Sequence, residues 1–283
     1  WNRYPGAQCD TASMIYMPLL EETGHMPTEK YAHAPEILEQ CRRIGRQFGL
    51  YANALFHTTV TAVTWDEERS VWVIETNRGD KFTAQYLGAG TGPLHVPKLP
   101  GIPGIETFKG HSFHTSRWDY DYTGGDPLGA PLDKLKDKRV AIIGTGATAI
   151  QAVPHVGASA KQLFVFQRTP QYIIPMRNPK YTDADRAAQK AGFAAMRERV
   201  QRTFAGFDYD FHPRNVYEMS QEEKRQVLEE LWADGSLAFW LTAFVEVFFD
   251  PKVGPSRVHD LFVLGADHDF PFLFFQSERD VLS

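Results

Sequence analysis

The spacing of apolar positions changes along the chain, and each change marks an element. In residues 35–48, Ile37, Leu38, Cys41, Ile44 and Phe48 fall on one face, the period of an amphipathic helix. Pro35 suits the first helical position and Gly49 the stop. The thirty or so residues before it carry Pro5, Gly6, Pro18, Gly24 and Pro27 without a period, which predicts loop. Runs at 56–65, 71–76 and 81–86 are rich in Thr, Val and aromatics, the residues of strands. The polar stretches 66–70 and 77–80 separate them, the second with Asn77-Arg78-Gly79 turn chemistry. This predicts an antiparallel meander. A small-residue run at 87–92 follows, and Pro93, Pro97, Pro100 and Pro103 make a stiff connection.

Residues 139–167 read as strand, helix, strand. Beyond Pro179 the period is helical over 182–204 and 219–249. Ser220 and Glu223 match a capping box. Val227, Leu228, Leu231 and Trp232 form the buried stripe of the second helix, and Phe239, Trp240, Phe244, Phe248 and Phe249 read as core.

Composition narrows the function classes. With 283 residues the chain can bury a sizeable core, and its 43% hydrophobic and 23% charged content is that of a globular domain. A net charge of −5 gives no electrostatic footprint for nucleic acid or an acidic membrane. No run reaches the roughly 20 apolar residues of a membrane helix. No signal peptide is visible, and the two cysteines, Cys9 and Cys41, have no metal or disulfide spacing. The expectation is a cytoplasmic protein. The chain opens on Trp1, which reads as a fragment.

The chemistry is concentrated after residue 139. Arg139-Val-Ala-Ile-Ile143 reads as a buried parallel strand, and Gly144-Thr145-Gly146-Ala147-Thr148-Ala149 follows at once, leading through Ile150 into a helix. This is the dinucleotide fingerprint in its required context. Gly144 permits the tight turn, Gly146 lets the backbone approach a pyrophosphate, and Ala149 lets helix and strand pack closely. The helix N-terminus supplies unpaired N–H groups. The second strand ends in Arg168-Thr169 where a NAD-specific site places an acid. A guanidinium binds a 2′-phosphate that a carboxylate repels, so the site is expected to prefer NADPH. The bland alternatives are a ligand-free glycine turn and a solvated surface arginine.

Phe108-Lys-Gly110-His-Ser-Phe-His114-Thr-Ser-Arg-Trp118-Asp119 resembles the FxGxxxHxxxW(P/D) signature of Baeyer–Villiger monooxygenases. Tyr4-Pro5-Gly6-Ala-Gln-Cys-Asp10 resembles the second half of that family's GxWxxxxYPGxxxD run. Gly90-Thr-Gly92 is similar to the strand end of flavoproteins with two dinucleotide domains, and Phe164-Val-Phe-Gln-Arg168-Thr-Pro170 is also similar to the family. The resemblance covers residues 1–250. It implies an α/β fold, a partial, Rossmann-like two-dinucleotide-binding-domain flavoprotein with a helical insertion. The implied division is a partial FAD-binding domain with its meander at 1–106, an NADP-binding domain with the signature linker at 107–178, the helical insertion at 179–250 and an unrecognised tail at 251–283.

The resemblance also implies roles, with Asp10 and His114 as the expected catalytic residues. Asp10 would sit at the seam between flavin and nicotinamide, Tyr16 would contact FAD, and Val60 would lie at the adenine end through its backbone. Gln8 and Cys9 would approach the nicotinamide nucleotide. Gly144, Thr145, Gly146, Ala147, Thr148, Ala149 and Ile150 would line the NADP phosphates, with Arg168 and Thr169 beyond them. His114 and Trp118 would belong to the linker that couples the domains. The implied reaction uses NADPH, FAD and O2 to convert a ketone into an ester or lactone. The arginine that partners the aspartate in the family is not placed in this sequence, a first FAD-type GxGxxG would precede Trp1, and the return strands would follow the insertion.

Other readings stay open. Asp10 could cap a turn, His114 could be a hydrogen-bonded interdomain residue without a chemical role, and His111 with His114 could bind a metal, though no third ligand is evident. The whole could be an N- or S-oxygenating flavin monooxygenase, or a non-catalytic NADP-binding remnant. Neither the substrate nor the oligomeric state can be read from the sequence.

Overall fold

The computed structural model describes residues 2–92, 94, 96–168, 173–235, 239 and 244–246. Two short helices, α1 (Ser13–Tyr16) and α2 (Leu20–Thr23), lead into α3 (Ala34–Gln47). Pro35 lies in the first turn of α3, and Gly49 turns the chain beyond it at φ +62°, as the sequence predicts. The buried side of α3 differs from the predicted stripe. Leu38, Cys41 and Phe48 are exposed, whereas Gln40 is buried. A buried amide is tolerated when its donors are paired. Gln40 Nε2 donates to the Pro18 carbonyl and to the Thr23 hydroxyl, each at 2.9 Å. Hydrogen bonds therefore tie the end of the α1–α2 loop to α3.

The meander forms as β1 (Val60–Asp66), β2 (Val71–Thr76) and β3 (Lys81–Ala84), antiparallel in that order. The first strand starts later than residue 56 because His57 takes a left-handed φ of +52°, which an extended run cannot contain. The third stops at Ala84 rather than 86. Trp65 and Trp72 lie directly opposite each other, their rings edge to face at 5.2 Å, a cross-strand pair that fixes register.

After a one-turn helix, α4 (Tyr120–Thr123), the predicted βαβ unit follows: β4 (Arg139–Ile143), α5 (Ala147–Ser159) and β5 (Gln162–Phe166). The strands are parallel, with Ala141 opposite Phe164. Leu132, Leu135 and Val156 form the buried centre beneath them, joined by Val140, Ile142 and Leu163. The expectation that β4 is buried needs correction. Its residues alternate between half-buried and exposed, and Ile143 and Phe166 at the strand ends are each 57% exposed. Among the described residues β4 pairs only with β5, so only the face toward α5 and Leu135 is covered.

Two longer helices complete the described chain, α6 (Asp183–Val200) and α7 (Gln221–Asp234). Both begin with capping boxes: the predicted Ser220–Glu223, and a Thr182–Asp185 box that sequence reading missed because Asp replaces the usual Glu or Gln. The first ends at Val200, short of 204, and the second is interrupted after Asp234; most of 236–249 lies outside the described residues. The second ends because Gly235 adopts φ +71° and packs so tightly that a Cβ would sit 2.4 Å from the Pro175 carbonyl. Phe193 and Met196 of α6 bury against Cys9, Met17, Leu20 and Tyr31, so this helix packs on the N-terminal loop. Phe239 and Phe244 are buried as predicted. Trp240, Phe248, Phe249 and residues 251–283 lie outside the described residues. No helix among the described residues is long and apolar enough to cross a membrane.

Replacing Gln40 by Leu removes the donor from the Pro18 carbonyl while keeping side-chain volume. The expected cost is about 1–3 kcal/mol, read as a lower urea midpoint at unchanged slope. An unchanged midpoint would show that α2 docks without this bond.

Candidate functional site

The site is built around the N-terminus of α5. Gly144 has φ +104°, and its N–H donates to the Phe166 carbonyl at 2.8 Å, tying the fingerprint turn to the end of β5. A Cβ added at Gly144 or Gly146 would meet nothing within 4 Å. The space over both glycines is open. The first turn of α5 has no side-chain cap and no acidic residue, so its N–H groups and the positive end of its dipole are uncompensated. Gly146, Ala147 and Ile150 are exposed around that end, while Ala149 is buried toward the core. An open double-glycine turn beneath an uncapped helix end fits a dinucleotide pyrophosphate. Thr145 is buried between the glycines, and its hydroxyl accepts from Gln167 Nε2 at 3.0 Å.

The Tyr4–Asp10 loop lies against the same helix. Gly6, at φ +79°, approaches α5 so closely that a Cβ would stand 2.5 Å from His155 Nε2 and 2.6 Å from the Gln151 carbonyl. This contact requires glycine in the YPG run. The Gln151 side chain then joins the two elements. Its Oε1 accepts from the Tyr4 hydroxyl at 2.7 Å and from the Gln8 N–H at 3.4 Å, and its Nε2 donates to the Gln8 carbonyl at 3.0 Å. Burial pushes the Tyr4 phenol up; a side-chain hydrogen bond with Thr148 lowers it, and the Asp10 carboxylate raises it further. Asp10 itself is exposed at the end of this loop.

On the other side the loop is fixed by strand-like pairing. The Cys9 N–H donates to the Ala32 carbonyl at 3.0 Å and the Ala34 N–H to the Ala7 carbonyl at 2.7 Å. The Cys9 thiol points into the core, 4.0 Å from the Ser13 hydroxyl, and burial pushes its pKa up. Only the backbone of Cys9 is thus available to a nucleotide. Ser13 is a hub that sequence reading missed. Its hydroxyl bonds to the Glu29 and Lys30 carbonyls and accepts from the Ala32 N–H at 2.7 Å.

The Phe108–Asp119 segment is a folded unit in its own right. The Phe108 ring covers Gly110, where a Cβ would fall 2.4 Å from Cζ. His114 caps the 3-10 turn Thr115–Arg117, its Nδ1 accepting the Ser116 N–H at 3.2 Å. In the neutral ring the proton therefore resides on Nε2. Phe113 and Trp118 meet edge to face at 5.3 Å, and Trp118 Nε1 donates to the Thr123 hydroxyl at 3.1 Å. The Trp118 ring packs on two clusters, Tyr4–Ala7–Ala152 and Leu132–Leu135–Val156. It thereby connects the Tyr4–Asp10 loop, α5 and the Phe108–Asp119 segment. His111 is engaged with Asp119 at 2.8 Å and stacks on Tyr122; the Tyr122 N–H and then His111 hold the Asp119 carboxyl below its ordinary value.

The structure brings Gln8 and Trp118 against α5, through Gln151 and Ala152 respectively; Cys9 and Asp10 follow Gln8 in the same loop, and the bonds of His114 lie within its own turn. Tyr16 closes α1 and Val60 opens β1, both with exposed side chains. Arg168 is exposed just past β5, and Thr169 lies outside the described residues. Gln151 and His155 were missed from sequence, although they are the polar i, i+4 pair on an otherwise apolar helix face.

The flavin-binding monooxygenase-like family model matches residues 18–183. The chain belongs to that family. Among similar relatives, Baeyer–Villiger monooxygenase ATR8 of Stachybotrys chlorohalonatus is 59% identical over 185 residues, covering 65% of this chain and 29% of the relative. An oxidized steroid monooxygenase bound to NADP is 35% identical with a TM-score of 0.80, over 95% of this chain and 52% of that one. The OTEMO complex with FAD and NADP is 31% identical with a TM-score of 0.83, over 92% and 49%. The α/β, two-dinucleotide-domain flavoprotein plan is therefore that of this monooxygenase family. The chain spans about 30% of the length of the curated relatives it matches and about half of the solved structures.

Gly6→Ala tests the docking of the loop on α5. A left-handed alanine and its clash with the Gln151 carbonyl are expected to cost about 2–4 kcal/mol in urea denaturation. A variant as stable as the parent would show that the contact yields without effect.

Proposed function

We propose that the chain is the nicotinamide-nucleotide part of an FAD- and NADPH-dependent monooxygenase that uses O2 to insert an oxygen beside a ketone carbonyl, giving an ester or lactone. The open Gly144–Gly146 turn, fastened to the Asp10 loop through Gln151, is the observation that carries this reading. A nucleotide seated on α5 is held next to the loop that the family signature assigns to the flavin seam. Thr145, Ala147, Thr148, Ala149 and Ile150 complete the pyrophosphate cradle. Arg168, with Thr169, takes the 2′-phosphate as a charge-assisted contact.

FAD, when bound, supplies the redox chemistry. The residues of this chain bind, orient and shield. Gln8 and the backbone of Cys9 border the nicotinamide. Asp10 places a fixed negative charge at the seam, where it favours a neighbouring cation. Tyr16 and Val60 face the flavin side. His114 and Trp118 set the position of the linker, His114 through its turn and Trp118 through its two packed clusters. We place the protein in the cytoplasm. A free exposed Cys41 and a free buried Cys9 suit a reducing compartment. The division at 1–106, 107–178 and 179–250 follows the same reading.

Arg168→Ala is expected to raise the Kd of NADPH by about 10- to 100-fold and to leave that of NADH nearly unchanged, measured by titration calorimetry. Equal losses for both would remove Arg168 from the 2′-phosphate. The oxygenation itself is tested by ketone-dependent NADPH oxidation with analysis of products. Ester or lactone supports the reading, sulfoxide or N-oxide alone favours the heteroatom oxygenases, and a colourless purified chain that oxidises no NADPH favours a nucleotide-binding remnant.

A further inference from the structure

The end of β5 holds a polar group that the site described so far does not use. Gln167 follows the strand directly, about twenty residues after Gly144 and one residue before Arg168, so it stands beside the position where a NAD-type site carries an acid that accepts from the adenosine ribose. Here the side chain is a neutral carboxamide. Its Nε2 donates to the Thr145 hydroxyl at 3.0 Å, which pins it against the turn between the two cradle glycines. Its Oε1 is shut off from water and has no hydrogen-bond partner. A desolvated acceptor without a donor is unfavourable, and native structures pair such groups unless they serve a purpose.

The chemistry of a dinucleotide restricts what that donor can be. Pyrophosphate and 2′-phosphate oxygens only accept. The ribose hydroxyls donate, and the end of the second strand is where the adenosine ribose lies in this motif. The terminal torsion of a glutamine is broad. For a hydroxyl to reach the buried Oε1 the carboxamide must turn about this torsion, which also moves Nε2 relative to Thr145.

We propose that Gln167 is a second recognition residue of the nucleotide site, its Oε1 accepting from the adenosine ribose 3′-hydroxyl that NADPH and NADH share. The inference rests on the nucleotide reading above. It separates two tasks at the strand end: Arg168 distinguishes the coenzymes by their phosphate, and Gln167 holds the sugar common to both.

Titration calorimetry of the chain with NADP+ and NAD+ tests this, with far-UV circular dichroism to verify folding. Gln167→Leu is expected to weaken both coenzymes about fivefold to tenfold, by a similar factor. Gln167→Glu keeps the acceptor, loses the donor to Thr145 and adds a charge that repels a 2′-phosphate. NAD+ is expected to bind it within about twofold of the parent, while NADP+ weakens about tenfold or more. Parent-like binding by the Leu variant overturns the inference alone. Equal loss of NAD+ affinity in the Leu and Glu variants also overturns it, because the side chain would then act only by supporting Thr145. A parent chain that binds neither coenzyme overturns the nucleotide reading and this inference with it.

Discussion

The contact between Gly6 and the backbone of α5 is the constraint on which the rest of the site depends. A backbone that meets a helix at the distance of a missing side chain leaves no room for adjustment, because packed interiors transmit displacement rather than absorb it. Gln151 can bond both Tyr4 and the Gln8 backbone only while that approach holds. Asp10 and the α5 N-terminus then occupy fixed positions relative to one another. Under the proposed function this fixed placement matters more than any single side chain, since a shift of an ångström between reacting groups is costly in rate. The N-terminal loop is held from its other side by Ser13 and by α6, so the helices after Pro179 also contribute to its placement.

The distribution of burial carries a second message. The centre of packing is the loop–α5–α6 region, while β1 is exposed along nearly its whole length and Ile143 and Phe166 are exposed at the strand ends. Leu38, Phe48, Tyr51 and Phe56 add to that surface. Soluble monomers seldom leave so many large apolar groups uncovered together. The elements with uncovered faces, α3, the meander and the β4–β5 pair, nevertheless have correct local geometry: register, caps and turns are all formed. Their secondary structure is set locally by hydrogen bonding and by pairs such as Trp65–Trp72, without burial of both faces among the described residues.

This contrast explains what was legible in the sequence. Element type was readable wherever a local rule decides: the period of α3, the turn at Asn77–Gly79, the fingerprint between β4 and α5, and the Ser220 box. Element ends were misjudged at His57 and Gly235, where a single left-handed residue overrides a continuing hydrophobic pattern. Burial was misjudged for α3 and β4, because the period of a stripe reports which residues are apolar and not what covers them. Gln40 shows the converse, a polar residue buried because two acceptors await it. In the site, the glycine turn between β4 and α5 was readable from its chemistry. Gln151, His155 and Ser13 were not, since their importance lies in contacts with residues up to about 150 positions away, which no local pattern encodes.

The signature segment shows how a motif can be specific without being a set of reactive groups. Gly110 is needed because the Phe108 ring lies over it, and Trp118 because two clusters meet on its faces. His114 spends its Nδ1 on the turn that delivers Trp118 to that position. In its neutral form such a histidine presents Nε2–H to a partner. The fixed spacing from Phe108 to Trp118 is then a folding requirement: ring over glycine, cap, indole. A linker built this way joins the Tyr4–Asp10 loop to α5 through packing, because the Trp118 ring touches both, and a substitution within it disturbs that packing first.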